Sequence, residues 1–207
     1  MGITLTTWLA VVSICALGAM SPGPSLAVVL KQTLAGGRRN GILTALLHGL
    51  GVGLYAFLSI LGLAALITAS PLAFNTLQWG GALYLGWLGI KGITARHRPA
   101  DGSATPSTFA SAARDGFLVV FLNPKVAVFF IALFSQVVGT DTSLLAKLGY
   151  AATAMVIDGG WYLLVALVFS HPAWLAKLNR YSVWLDRLFG AVLLLLSARL
   201  VAGVAFA

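Results

Sequence analysis

Residues Asn40 to Ile90 read NGILTALLHGLGVGLYAFLSILGLAALITASPLAFNTLQWGGALYLGWLGI and contain no lysine, arginine, aspartate or glutamate. A helix needs about 20 apolar residues to cross a bilayer core of ~30 Å, so this run is long enough for two crossings. Proline ends helices and disfavours the α conformation in the preceding residue, which places the division at Ala69-Ser70-Pro71. The stretch therefore predicts two transmembrane helices, near residues 42–68 and 72–90.

The composition of the whole chain agrees with a membrane protein. Its 207 residues are 59% hydrophobic and only 9% charged, whereas a soluble domain carries about 25% charged residues. This balance excludes a soluble enzyme, a disordered tail and a secreted scaffold. Four further apolar stretches lie near residues 4–30, 116–138, 145–170 and 188–205. We therefore predict an all-α integral membrane protein with six transmembrane helices.

The basic residues indicate how these helices are oriented. Cytoplasmic loops of membrane proteins carry an excess of lysine and arginine. Most of the 13 basic residues fall in three alternate connections, between the first and second, third and fourth, and fifth and sixth spans. They are Lys31, Arg38, Arg39, Lys91, Arg96, Arg98, Arg114, Lys177, Arg180 and Arg187. We therefore expect both termini outside, and the net charge of +8 reports topology instead of a nucleic-acid partner.

A polar segment, residues 96–111, divides the chain into two halves that resemble each other. It is rich in proline, serine, threonine and glycine, which is typical of a flexible linker. Residues 23–29 (GPSLAVV) and 123–129 (NPKVAVF) share proline, alanine and valine in register. Each half, 1–95 and 112–207, has three predicted spans, and an odd number places the halves in opposite orientations. The sequence thus predicts two inverted three-helix repeats with a proline-interrupted first helix in each, an architecture that recurs in secondary transporters.

Ser21, Pro22, Gly23 and Pro24 lie inside the first apolar run and not at its end. Two prolines remove two backbone donors, and the freed groups are tolerated in a membrane only against protein or a wet cavity. One interpretation is a broken helix that binds a substrate or ion at its exposed backbone. The alternative is a packing kink, since proline is common in membrane helices. The paired prolines favour the binding site.

Charged residues inside the predicted spans are the second site signal. Asn123-Pro124-Lys125 lies near the middle of the fourth span and Asp158 near the middle of the fifth. A central lysine or aspartate costs about 2.5–3.5 kcal/mol on insertion scales, so each needs a reason. Lys125 is a candidate for binding a carboxylate, and Asp158 for binding an ammonium group or carrying a proton. The alternatives are a structural ion pair or a lysine that reaches the interface.

His48, in the second span, is a second candidate for proton coupling, because histidine titrates near neutrality. A buried histidine of purely structural role is the alternative. With a single cysteine, Cys15, and three scattered histidines, we expect no metal site and no cofactor.

The chain resembles the LysE/RhtB family of bacterial amino-acid exporters over nearly its whole length. The motifs that carry the resemblance are SPGP at 21–24, GRRNG at 37–41, GALYLGWLGIK at 81–91 and FLNPK at 121–125. The resemblance implies a transporter and not an enzyme, located in the bacterial cytoplasmic (inner) membrane. It also implies export of amino acids or close derivatives by proton antiport. The partners expected are an amino-acid substrate, protons and the lipid bilayer, with no nucleic acid, and a homo-oligomer is left open.

Some lysine and arginine exporters of this family carry further acids inside the membrane, one of them shortly after the fourth-span proline. Here the residues that follow Lys125 are apolar as far as Ser135. The resemblance therefore favours a neutral substrate such as threonine, homoserine or leucine. A channel, or an exporter of another small metabolite or cation, is the alternative function.

Overall fold

The computed structural model describes residues 4–95, 107–168 and 172–205, with the backbone alone at positions 71, 172–180, 182 and 203–205. These ranges are helical apart from short breaks and turns, and they contain no strand. The helices are α1 (Leu5–Met20), α2 (Pro24–Ala69), α3 (Pro71–Ile93), α4 (Phe109–Leu122), α5 (Pro124–Phe134), α6 (Leu144–Val168) and α7 (Pro172–Ala205). The prediction of an all-helical chain is confirmed for the described residues.

The first apolar run is interrupted where the two prolines stand. α1 ends at Met20, and Ser21 and Gly23 adopt extended backbone, with ψ of 123° at Ser21 and φ of 179° at Gly23. Pro24 then occupies the first turn of α2, where its missing N–H is no loss. α1 has 16 residues, about 24 Å of helix, and is therefore shorter than a bilayer core.

α2 contains a break that the sequence analysis interpreted as a loop. Its 46 residues amount to about 69 Å of helix, more than twice the thickness of a bilayer core. Gly37 divides it, with φ 74° and ψ 179°, a conformation that is essentially restricted to glycine. The exposed Lys31, Arg38 and Arg39 flank this glycine. The basic connection between the first two predicted spans is thus a one-residue break between helical segments.

Ser70 separates α2 from α3, and Asn123 separates α4 from α5, as predicted from Pro71 and Pro124. The Ser70 hydroxyl caps α3 by accepting a hydrogen bond from the Ala73 backbone N–H at 3.2 Å. Asn123 has extended backbone, and its side-chain oxygen accepts a hydrogen bond from the Lys125 N–H at 3.1 Å. α4 and α5 meet there at a bend of 56°. The fourth predicted span is therefore a broken helix.

Three helix boundaries differ from the predicted spans. α4 begins at Phe109, inside the segment 96–111 predicted as a linker, because Thr108 and Ser111 form a reciprocal capping box there. Residues 96–106 of that segment lie outside the described residues. α5 ends at Phe134, before the predicted end at 138, and a turn follows. α7 begins at Pro172, well before the predicted start at 188, so the basic stretch 177–187 is helical and not a loop.

Glycines set the distance between the packed helices. α2 packs along α6 and α4, and α3 packs along α7. A Cβ added to Gly49 would lie 2.7 Å from Gly159 Cα, and one added to Gly190 would lie 2.6 Å from the Gly89 carbonyl oxygen. Backbones this close leave no room for a side chain. The small residues thus allow α2 to approach α6, and α3 to approach α7, as in closely packed membrane helices.

The outer surface is apolar. Leucines spaced by four residues along α2 face outward, and α6 and α7 also expose large hydrophobic side chains. The α2 residues are Leu46, Leu50, Leu54 and Leu58. By length and composition α2 and α6 can each cross a membrane. If the bent α4–α5 pair is counted as one span, the described residues contain three such spans. An apolar surface of this extent fits a lipid environment.

Candidate functional site

The two helix breaks predicted from the sequence contact each other. The Lys125 ammonium donates a hydrogen bond to the Ser21 hydroxyl at 2.6 Å. The Asn123 side-chain amide lies 3.5 Å from the Ser25 hydroxyl and donates to it. A Cβ on Gly23 would lie only 3.8 Å from the same lysine nitrogen. Residues that are about a hundred positions apart in the sequence thus form one polar cluster.

Lys125 forms no ion pair with a carboxylate among the described residues. Its ammonium lies 4.3 Å from the centroid of the Phe189 ring, a cation–π contact. Asp186, one turn earlier on α7, acts on it electrostatically. The ammonium therefore has a hydroxyl and an aromatic face as its immediate partners, which leaves it able to bind an anion.

Asp158 is paired with His48 and not with Lys125. The His48 Nδ1 atom lies 2.6 Å from the Asp158 Oδ2 atom, with side chains 1% and 15% exposed respectively. The Tyr162 ring packs edge-on against the imidazole, with centroids 4.6 Å apart. The close approach of α2 to α6 at Gly49 places this pair, because His48 and Asp158 each adjoin one of the glycines in contact.

The Tyr162 and Ser25 side chains line the same cavity, and Ser25 is the residue that Asn123 contacts. Ser25 belongs to the cluster at the helix breaks, and Tyr162 packs against His48 of the His48–Asp158 pair. Both groups line one cavity of about 50 Å³, to which Ser21, Gly23, Asn123, Lys125, His48 and Asp158 all contribute. At ~10–15 Å³ for each water, this volume admits about three to five waters.

The rest of the cavity wall is apolar. It is formed by Cys15, Gly18, Ala19, Val52, Val126, Phe129, Phe130, Ala154 and Phe189. Because the rest of the wall is apolar, a charged group in the cavity depends on the polar side chains described above for its stabilisation. The arrangement can therefore hold a small polar molecule between an ammonium and a carboxylate–imidazole pair.

The prolines of the predicted site act through the backbone, whereas the other predicted residues line the cavity. Pro22, Pro24 and Pro124 fix the backbone at the breaks, and none of the three is among the side chains that line the cavity in the described part of the chain. Pro24 and Pro124 are exposed. Their contribution to the site is to end one helix and begin the next.

Four residues of the site were missed by the sequence analysis: Ser25, Tyr162, Asp186 and Phe189. Tyr162 lies four residues after Asp158 and therefore on the same face of α6, a spacing that could have identified it. Ser25 directly follows Pro24 at the first break and aligns with Lys125 in the similar segments 23–29 and 123–129. Asp186 and Phe189 lie on α7, whose position against Lys125 depends on tertiary packing alone.

A second polar cluster lies at the Gly37 end of α2. Gln32, 2% exposed, donates from its amide to Asp115 Oδ2 at 2.9 Å. Asn40 donates to the Ser107 hydroxyl at 2.9 Å, and that hydroxyl in turn donates to Gln32. These bonds connect both sides of the α2 break to the start of α4. The same end of the molecule carries exposed basic residues, as a cytoplasmic surface would.

The family model described as LysE type translocator matches residues 16–203. An uncharacterized membrane protein of Escherichia coli K12, YahN, is 30% identical over 184 residues, covering 87% of this chain and 82% of that protein. The threonine efflux protein of the same organism is 28% identical over 193 residues, covering 91% of this chain and 94% of that protein. A leucine efflux protein of Klebsiella pneumoniae is 37% identical over 125 residues, 58% of each chain. No solved structure matches the chain.

Proposed function

Because the chain belongs to the LysE type translocator family, whose members are transporters and not enzymes, we propose that it exports neutral amino acids from the cytoplasm in exchange for protons. The observation that carries this proposal is the single cavity shared by Lys125 and the His48–Asp158 pair. A zwitterionic amino acid has a carboxylate and an ammonium group on neighbouring atoms. Lys125 binds the first, and Asp158 attracts the second.

The helix breaks supply further groups that can bind the substrate carboxylate. α5 begins at Pro124, directly before Lys125, and the N-terminus of a helix carries about half a positive charge. Its first N–H groups lack helical partners and are available to an anion. The Asn123 side-chain oxygen already accepts a hydrogen bond from one of these groups, the Lys125 N–H. The other break, at Ser21 and Gly23, lies against the same ammonium.

The names of two relatives support an amino acid as the substrate, since one is a threonine efflux protein and the other a leucine efflux protein. The apolar wall of the cavity supports a neutral side chain, because a cationic or anionic side chain would need a further charged partner there. Threonine, homoserine and leucine are therefore the substrates that we propose.

The proposed architecture is two inverted three-helix halves, residues 1–95 and 112–207, joined by the segment 96–111. The breaks at 21–23 and 123 support it, since each follows the first helix of its half and precedes a proline. In this arrangement six segments cross the bacterial inner membrane, the termini lie outside and the basic Gly37 end faces the cytoplasm. Transport then proceeds by alternating access of the cavity to the two sides.

The present cavity admits only a few waters, so we assign the structure to an occluded form. Threonine alone has eight non-hydrogen atoms, and its binding requires the helices around the cavity to separate. The break at Gly37 and the polar cluster beside it lie on the proposed cytoplasmic path. Their hydrogen bonds, which join α2 to the start of α4, would have to break when the cavity opens to that side.

The test is efflux from proteoliposomes loaded with labelled threonine or leucine, with and without an imposed proton gradient. We expect selective efflux of these amino acids that the gradient accelerates, and loss of that acceleration in Asp158→Asn. Asp141→Asn, which alters an exposed acid in the turn before α6, is the matched control and should behave as the unchanged protein. Selective flux that ignores the gradient would indicate a channel, and no flux of any amino acid would contradict the proposal.

A further inference from the structure

One nitrogen of the His48 imidazole has no hydrogen-bond partner in the part of the chain that the structure describes. The Nδ1 atom lies 2.6 Å from Asp158 Oδ2, whereas the Nε2 atom is buried and has no hydrogen-bond partner among the described residues. Buried polar atoms in proteins are usually hydrogen-bonded, so one that is not requires an explanation. His48 also lines the cavity shared with Lys125.

The bond to Asp158 determines what the free nitrogen can do. An ionised carboxylate can only accept hydrogen bonds, so Nδ1 carries the hydrogen when the imidazole is neutral. Nε2 then has a lone pair and is an acceptor. When the imidazole binds a proton, that proton occupies Nε2 and converts it to a donor. The same atom therefore either accepts an N–H group or holds a proton, and it cannot do both.

We propose that the ammonium group of the substrate and the transported proton compete for His48 Nε2. This inference rests on the proposed function and identifies the atom at which proton exchange occurs. Neutral His48 accepts a hydrogen bond from the substrate ammonium, while Asp158 neutralises the charge. When the substrate leaves, a proton from solvent takes its place on Nε2. No covalent bond of the substrate changes, and one proton moves for each ammonium released.

The charge balance of the site favours exchange over joint occupancy. With the proton bound, the Asp158 carboxylate and the His48 imidazolium together carry no net charge. With the substrate bound, the ammonium replaces that positive charge, and Lys125 offsets the substrate carboxylate. Proton and ammonium together would place two positive charges beside the single Asp158 carboxylate, at an end of the cavity that is otherwise largely apolar, which is costly.

The other titratable groups around the cavity do not offer the same choice between accepting an N–H group of the substrate and holding the transported proton. Tyr162 on α6 and Cys15 on α1 line the cavity as a neutral phenol and a neutral thiol, and neither carries a charge to exchange. Lys125 on α5 and Asp186 on α7 act on one another electrostatically, at the carboxylate end of the site. The Asp158 carboxylate is already in contact with His48 Nδ1, so Nε2 is the atom of this pair that is left to hold the proton.

The test is calorimetric titration of the detergent-solubilised protein with L-threonine and L-leucine at a series of pH values. In the pH range where the proton occupies the site, competition with one proton raises the apparent Kd about tenfold for each unit by which the pH falls, without changing the number of sites. Binding in that range also releases one proton per substrate. The release is measured as a difference in heat between buffers of different ionisation enthalpy. A Kd that does not depend on pH, with no proton released, would overturn the inference.

His48→Gln provides the variant test, because glutamine cannot hold the proton. We expect its Kd to lose the pH dependence, whatever its absolute affinity. His97→Gln, at a histidine outside the described residues, is the control and should retain the tenfold slope. A slope that persists in His48→Gln would overturn the inference even with export intact. If neither amino acid binds the unchanged protein and none is exported, the proposed function fails as well, and if the variant does not fold, the titration of the unchanged protein decides.

Discussion

Replacing Lys125 by methionine keeps an unbranched side chain that is one atom shorter and removes the ammonium that we propose to bind the substrate carboxylate. In the structure this ammonium has a hydroxyl at 2.6 Å and an aromatic ring at 4.3 Å, and no paired carboxylate among the described residues. A hydrogen bond to a charged group contributes about 1.5–3 kcal/mol. With about 1.4 kcal/mol for each factor of ten, the variant should bind amino acids about 10- to 150-fold more weakly.

The assay compares the affinity for L-leucine with that for L-leucinamide, in which a neutral amide replaces the carboxylate. Lys125→Met should lose the stated factor toward leucine and little toward leucinamide, because only leucine presents the charge that Lys125 meets. Lys91→Met is a matched control, since the Lys91 ammonium also lies over an aromatic ring, Trp87, at 4.5 Å, but at the exposed end of α3. Equal losses toward leucine and leucinamide would refute the assignment of Lys125 to the carboxylate.

Two substitutions test the packing that positions the site, each measured by thermal or denaturant unfolding of the solubilised protein. Gly49→Ala should destabilise by about 1–3 kcal/mol because its Cβ would lie 2.7 Å from Gly159 Cα, whereas Gly62→Ala, with open space around it, should be neutral or slightly stabilising. Equal shifts in the two variants would contradict the close packing of α2 on α6. Gly37→Ala should cost about 1–3 kcal/mol because φ is 74° there, and an unchanged midpoint would show that α2 is not broken at this residue.

The helix breaks were predictable from the sequence because proline acts locally. Pro24, Pro71 and Pro124 each stand at the first turn of a helix, and the residues before them are extended. The break at Gly37 was only partly predictable, since Gly36-Gly37 beside two arginines is equally typical of a longer loop. The connection is a one-residue break because Gly37 alone adopts a positive φ, and no sequence pattern specifies that angle.

The partner of Asp158 was not predictable. The sequence identified Asp158 and His48 separately, and it left open whether Lys125 and Asp158 meet. They share a cavity, but the carboxylate pairs with a histidine 110 positions away in the sequence. That pairing depends on how closely α2 approaches α6, which the contact between Gly49 and Gly159 permits. Local patterns indicated which residues need a partner, and the close packing of α2 on α6 brought His48 to Asp158.

The central claim is that the cavity between Lys125 and the His48–Asp158 pair holds the substrate, and Cys15 offers a direct test. It is the only cysteine in the chain, it lines this cavity and it is 5% exposed. The measurement is the rate at which a small maleimide alkylates Cys15, which it reaches when the cavity opens during transport, at increasing concentrations of L-threonine or L-leucine. We predict that the substrate slows alkylation with a half-effect at its Kd, and that Lys125→Met shifts this concentration upward by the factor given above. Alkylation that is unchanged at a concentration that saturates transport would contradict the claim.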